Sequence, residues 1–319
     1  MGVAVSFDKL PKLPVAGLRH SWDVYGPGDN LGTLNRLTQD VVAVAATSVR
    51  TGERIGVSLP LELPDPPFFG RQTPRHTVFA MSENVRDDRI DNFYPQCSSQ
   101  WDSFRHVRLR DGFYGGWQGD PGDPSADPGP LGIHHWAPQG IVGRGVLADL
   151  AGWLAADNGY DPFTLRRFSP ADIEAALGAQ GTSLRPGDIL CVRTGWMDKY
   201  LTLDGAGRTE LSVGLAQPLG YECAGLSGSE DMSRFLWDSG IAAVVADNPA
   251  VEAVPGDPAI GSLHQRLIPA LGFAIGELFG FTALSAACQR DGRFEFLFVS
   301  VPLNLTGGVG SPANAVAVR

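Results

Sequence analysis

Apolar positions recur along this chain with two periods, and the switches between them mark its elements. Thr38 to Arg50 reads as a helix: Thr38 caps it, Val41, Val42, Val44 and Ala45 form an apolar stripe, and Gly52 follows its end. Arg54 to Leu61 and Thr77 to Met81 read as strands, separated by the Pro-rich, irregular stretch Pro64 to Pro74. Gly140 to Leu150 sets Gly among Ile, Val and Leu as a buried strand does, and a short helix starts over Leu150 to Asp157. Ser169-Pro170-Ala171-Asp172 is a helix start, with Ser as cap, Pro preset at the first position and Asp172 at the positive end of the dipole. Gly181 stops that helix. Asp188 to Arg193 is an apolar strand, and the helix Ser229 to Ser239 leads into the strand Ile241 to Ala246. Thr282 to Gln289 then reads as a helix and Arg293 to Leu303 as a strand, with Phe294, Phe296 and Phe298 on one face.

This alternation of helix and strand, without an internal repeat or a charged or Ser-rich hinge, predicts one α/β domain over residues 1–319, with residues 1–60 partly wrapping its core. Composition narrows the classes. At 319 residues and 43% hydrophobic content the chain can bury a large core, while 40 Gly and 24 Pro exclude a helical bundle and favour short strands and functional loops. The Gly- and Pro-rich loop from Phe113 to Pro130 is long enough to cover a site.

A net charge of −10, with no clustered Lys and Arg, argues against nucleic acid as a partner. The longest apolar runs, such as Ile241 to Ala246, are far shorter than the roughly 20 residues that span a bilayer. The N-terminus has no apolar signal block, so the expectation is a cytoplasmic protein with no membrane partner. Cys97, Cys191, Cys223 and Cys288 form no Cys-x-x-Cys pair, which suits neither a disulfide framework nor a thiolate zinc site. The glycines of Gly26-Pro27-Gly28 and Gly307-Gly308-Val309-Gly310 lack a phosphate-loop Lys and dinucleotide spacing, so no nucleotide cofactor is expected.

Candidate chemistry concentrates in Gln96-Cys97-Ser98-Ser99-Gln100-Trp101-Asp102-Ser103-Phe104-Arg105-His106, where polar side chains sit beside large aromatics. Asp102 and His106, four residues apart, can meet as an acid/base pair in which the carboxylate fixes the imidazole tautomer. A capping Asp and a core His account for the same spacing. Trp101, Phe113, Tyr114, Trp117 and Trp136 can wall a flat or aromatic substrate or simply fill the core. His134 and His135 point to opposite sides of an extended chain, so at most one faces a site. Asp247, Asn248 and Glu252, after the strand ending at Ala246, can form another polar edge, or they are simply turn residues.

The segment resembles the signature of the cyclase family, His-x-Gly-Thr-His-x-Asp-x-Pro-x-His, whose members include kynurenine formamidase and isatin hydrolase. Asp102 and His106 fall on its last acidic and last His positions. The likeness continues through Asn30 to Asn35, Gly140 to Leu147, Gly187 to Leu190, Arg193 to Trp196, Gly276-Glu277-Leu278, Pro302-Leu303-Asn304 and Gly307 to Pro312. Gln96 and Gln100 depart from the pattern, standing where it has two metal-binding histidines, and Phe104 replaces its Pro.

The resemblance implies a swivelling β/β/α fold with a β-barrel-like core, a homodimer or larger assembly, and a small cyclic or aromatic substrate. It also implies one divalent ion, Mn or Zn, on Asp102, His264 and Glu277, with neutral amides as weak substitutes for imidazole toward Zn. In the resulting assignment His106, Asp102, Gln100 and Glu277 are catalytic, and Gln96, Trp101, Tyr114, His135 and Trp136 bind substrate. The expected activity is the opening or closing of a lactam, lactone or amide bond by Asp/His acid–base chemistry. A metal-independent cyclase or dehydratase of a specialised biosynthetic pathway, and a non-catalytic ligand-binding relative, stay open as alternatives.

Overall fold

The computed structural model describes residues 5–123, 129–155, 159–217 and 220–319. Its strands in chain order are β1 (Arg54–Gly56), β2 (Arg75–Ala80), β3 (Arg86–Asp91), β4 (Gln100–Asp102), β5 (Ile141–Asp149), β6 (Arg167–Phe168) and β7 (Ile189–Arg193). They continue with β8 (Gly225–Leu226), β9 (Ala243–Ala246), β10 (Ala274–Glu277), β11 (Glu295–Ser300), β12 (Gly310–Pro312) and β13 (Ala315–Val318). Nine of them form one strongly curled, half-barrel sheet in the order β1-β13-β11-β5-β7-β9-β10-β4-β12. The mixed α/β architecture is the one expected.

The middle of the sheet, β5-β7-β9-β10, is parallel. Its apolar positions are buried along nearly the whole run, as in parallel strands covered on both faces. Antiparallel strands flank it on both sides. Along β11 the burial alternates, with Phe296 and Phe298 inside. The helices Gln39–Ala46 and Pro170–Ala179 pack against β5. The second of these opens on the predicted capping box, in which Ser169 and Asp172 each bond the other's backbone N–H.

Among the described residues, the N-terminal stretch carries no sheet strand before β1 and lies along the body. Phe7 N donates to Asp238, Ser21 Oγ to the Leu271 carbonyl at 2.8 Å, and Thr33 Oγ1 to that of Ala242 at 2.7 Å. Gly32 is required there: at φ 52° an added Cβ would lie 2.0 Å from the Gly272 oxygen.

Several elements differ from expectation. The first helix stops at Ala46, β1 at Gly56 and the helix after β5 at Trp153. Residues 156–158 and 124–128, which fall in that helix and in the Gly-rich loop, lie outside the described residues. Trp196–Thr202 and Gly205–Leu215 are helices the apolar pattern does not announce, and β3 completes an unpredicted hairpin with β2. That hairpin is exposed on both faces, Thr77 alone being half-buried, so the hydrophobic periodicity that betrays other strands is missing.

Candidate active site

The site is built where β4 runs between β10 and β12. Along a strand alternate side chains share a face, so Gln100 and Asp102 point one way and Trp101 the other. Trp101 is core: it packs edge-on against Phe279 and Phe298, and its Nε1 donates to Ser300 Oγ at 2.8 Å. Its neighbours across the ladder are Gly276 on β10 and Ser311 on the edge strand β12. The Pro that ends β12 is tolerated because β12 is the edge strand of the sheet among the described residues.

Register places Glu277 opposite Gln100, and Gln100 Nε2 donates to Glu277 Oε2 at 2.7 Å. Gln96 reaches back so that its amide nitrogen donates to Asp102 Oδ1 and lies 3.2 Å from His106 Nδ1. His106 sits in the turn that follows β4, its backbone N–H bonding the Ser103 carbonyl. Its Nε2 is 3.8 Å from Asp102 Oδ2. Asp102 is fully buried, whereas the His106 side chain is 32% exposed, so the pair runs from the protein interior to solvent.

His264 comes from the short helix Leu263–Gln265, capped by Ser262 and followed by a π-helical turn, Arg266–Leu271. Such turns occur often at functional sites. His264 Nε2 lies 3.0 Å from Glu277 Oε1 and 3.9 Å from Asp102 Oδ2, and its Nδ1 lies 2.7 Å from Glu252 Oε1. The rings of His106 and His264 have centroids 6.4 Å apart.

These contacts shape the proton affinities. Burial raises the Glu277 carboxyl above the usual range and the Asp102 charge adds to it, against the opposing effect of His264. Burial alone would lower the His264 imidazole, but its hydrogen bonds to Glu252 and Glu277 outweigh that and hold it well above its usual range. Glu252 is correspondingly held low, since the His264 hydrogen bond and charge outweigh its burial.

The structure thus brings Gln96, Gln100, Asp102, His106, His264 and Glu277 together. The remaining predicted substrate contacts sit elsewhere in the packing. Trp101, Tyr114 and Trp136 are fully buried. Tyr114 O–H donates to Asp29 at 3.1 Å, Trp136 Nε1 to the Asn30 carbonyl at 3.0 Å, and both rings lie against Phe104. These aromatics lock residues 29–32 onto the body. His135 is half-buried, its ring 4.0 Å from that of His134, with Nε2 at the Gly129 carbonyl.

Glu252, read from sequence as a polar edge or a turn residue, is the partner of His264. Asp247 caps the Thr194–Gly195 turn through Thr194 N, Thr194 Oγ1 and Gly195 N. No residue spacing connects Glu252 with His264, because the pairing depends on where the loop after β9 folds.

Asp102, His264 and Glu277 each offer one ligand atom, all within 4.8 Å of one another. Two buried acceptors in the same cluster, Asp102 Oδ2 and Gln100 Oε1, have no hydrogen-bond partner among the described residues. An oxygen-rich set with one imidazole, carrying orphaned acceptors, fits a divalent cation, and by ligand type suits Mn better than Zn. Glu252 stands behind the imidazole where metal-binding histidines commonly carry an outer carboxylate.

Among curated proteins none matches the chain. A crystal structure described as a novel cyclase superposes with a TM-score of 0.80 at 30% identity, covering 97% of this chain and 100% of that one. Isatin hydrolase A from Labrenzia aggregata, bound to benzyl benzoate, shares the fold with a TM-score of 0.57 at 16% identity, over 88% of this chain and 97% of its own. The isatin hydrolase A from Ralstonia solanacearum gives 0.55 at 14% identity, over 86% and 94%. The Cyclase family model matches residues 40–253, and with the 30% identical relative this establishes that the chain belongs to the cyclase family.

Proposed function

We propose that this cyclase-family enzyme opens or closes a lactam, lactone or amide bond in a small cyclic substrate, with His106 as the proton carrier and Asp102 behind it. The observation that carries the reading is the orphaned Oδ2 of buried Asp102, 3.8 Å from the partly exposed His106 and 3.9 Å from His264. Opening such a ring requires a proton to leave the attacking water and another to reach the departing nitrogen or oxygen. A positioned imidazole supplies both transfers in turn, each contributing about a hundredfold or more. Ring closure uses the same transfers in reverse, with water or alcohol as the leaving group.

Asp102, His264 and Glu277, with the free Gln100 oxygen, would hold a single divalent ion. When bound, it supplies Lewis acidity toward the substrate carbonyl. Gln100 and Gln96 hold the outer oxygens of the two carboxylates, leaving Glu277 Oε1 and Asp102 Oδ2 turned toward the imidazoles.

One observation favours a second, metal-independent reading. The Gln amides already serve Glu277 Oε2 and Asp102 Oδ1, and His264 serves Glu277 Oε1, so most of the buried charge is compensated by the protein itself. Acid–base ring closure or dehydration then suffices.

Elemental analysis of protein purified without chelator, followed by turnover of a panel of cyclic amides and esters with and without Mn, separates the two readings. Near-stoichiometric metal whose removal abolishes turnover supports the metal-assisted hydrolase. Retained turnover without metal supports the second reading, and no turnover across the panel refutes both.

We further propose that the chain works as a homo-oligomer through the β2–β3 hairpin, an exposed ribbon with Val78 59%, Met81 63% and Val85 53% accessible. An isolated two-stranded hairpin is marginal in water.

A further inference from the structure

Glu252 gathers donors from three consecutive residues. Its Oε1 accepts Ser262 Oγ at 3.0 Å and the His264 backbone N–H at 3.1 Å, and faces His264 Nδ1 at 2.7 Å; its Oε2 accepts Leu263 N–H at 2.7 Å. The pattern ties one carboxylate both to the start of the helix that carries His264 and to the ring itself. Both oxygens of Glu252 already accept N–H or O–H donors, so the hydrogen between Oε1 and Nδ1 belongs to the imidazole. The opposite nitrogen, Nε2, is thereby turned to Glu277 Oε1 and Asp102 Oδ2.

The backbone around this grip is independently constrained. Val251, immediately before Glu252, has φ 54°, and Leu278, immediately after Glu277, has φ 57°, left-handed conformations that are costly for both side chains. Residues are held this way only where their surroundings over-determine them, and such residues cluster at functional sites. Fully buried Asn248 ties the two together: its Nδ2 donates to the Ala224 carbonyl at 2.9 Å and the Glu252 backbone carbonyl at 3.3 Å, and its own backbone carbonyl accepts Leu278 N–H at 3.1 Å. The backbone beside each of the two carboxylates that grip opposite nitrogens of His264 is thus tied to one residue, Asn248.

We infer that Glu252 is a positioning residue for the reaction: by accepting the Nδ1 hydrogen of His264 and fixing the ring plane, it presents Nε2 to the Asp102–Glu277 face. It touches no reacting atom. The consequence for turnover rests on the function proposed above, but the orientation itself does not.

The test uses the full-length, metal-free protein labelled with ¹⁵N-histidine, with H264A to assign the ring signals. Wild type should show a protected, downfield Nδ1–H resonance from His264. E252Q keeps an acceptor oxygen and should retain it, while E252L should lose it. E252D, which keeps the charge but withdraws the reach, should lose it as well and serves if E252L does not fold. On a substrate the wild type turns over, the variants that lose the resonance should lose about 10- to 100-fold in turnover, the usual cost of removing an outer partner, with E252Q between. Absence of the resonance in wild type, its survival unchanged in E252L or E252D, or full turnover after its loss would each overturn the inference. A panel with no turnover at all counts against the proposed function alone, because the resonance still reports on Glu252.

Discussion

Gln100 and Glu277 face each other across the β4–β10 ladder, and the Gln100 amide donates to the buried Glu277 carboxylate at 2.7 Å. Neither side chain can turn to water, since Gln100 is 2% and Glu277 4% exposed. Removing the donor leaves a charged oxygen without its partner. Q100A should therefore destabilise the protein by about 1–3 kcal/mol, read by urea unfolding, and Q100E by more because it sets a second carboxylate beside Glu277. A Q100E protein as stable as wild type would show that Glu277 is not ionised in this pair.

Asp102 separates stability from activity. Its charge raises the proton affinity of Glu277, and its Oδ2 has no hydrogen-bond partner among the described residues, so as a purely structural group it is badly placed. D102N removes the buried charge while keeping the shape. It should leave the melting temperature unchanged or higher and reduce turnover by about a hundredfold, as should H106A, whose partly exposed ring contributes little to the core. Loss of folding in D102N, or unchanged turnover in H106A, contradicts the roles given to this pair.

How much of this was legible depended on the kind of signal. Asp102 and His106 stand four apart in one polar and aromatic segment and were found from it; His264 and Glu277 emerged only through the family likeness, because no local pattern joins a helix to the end of a distant strand. Glu252 stayed hidden for the same reason, and its neighbours Asp247 and Asn248 are indeed strand-end residues. Trp101, Tyr114 and Trp136 stand among polar residues in sequence, yet each ring enters the core while only its N–H or O–H finds a polar partner. Three of the four central strands, β5, β7 and β9, are plain from their apolar runs, whereas Arg86-Asp87-Asp88-Arg89-Ile90-Asp91 offers no apolar face from which a strand can be read.

Gly310 faces Asp102 on β12 and makes room for Gln96. A Cβ there would lie 2.4 Å from Gln96 Cγ and 2.8 Å from the Trp101 carbonyl oxygen. Side chain and backbone cannot both yield. G310A should push the Gln96 amide away from Asp102 and His106, lowering turnover about tenfold and stability by roughly 1–3 kcal/mol through overpacking. A variant that loses stability but keeps wild-type turnover would show that Gln96 is not needed where it stands.

In the assembly proposed above, the β2–β3 hairpin is the contact. Its strands carry Arg75, Arg86 and Arg89 against Asp87, Asp88 and Asp91, so on a chain of net charge −10 this ribbon is balanced. A second copy can approach it without the repulsion the rest of the surface imposes, matching Arg to Asp in both directions as a two-fold contact requires. Exposed Val78, Phe79, Met81 and Ile90 supply the apolar contact. Light scattering of the wild type should give at least twice the 34.0 kDa of one chain, and V78K combined with M81D should return it to that mass. Because the hairpin is exposed, the double variant should fold normally, so a folded protein whose mass does not change would place the contact on another face. A wild type of one-chain mass at micromolar concentration would remove the assembly altogether.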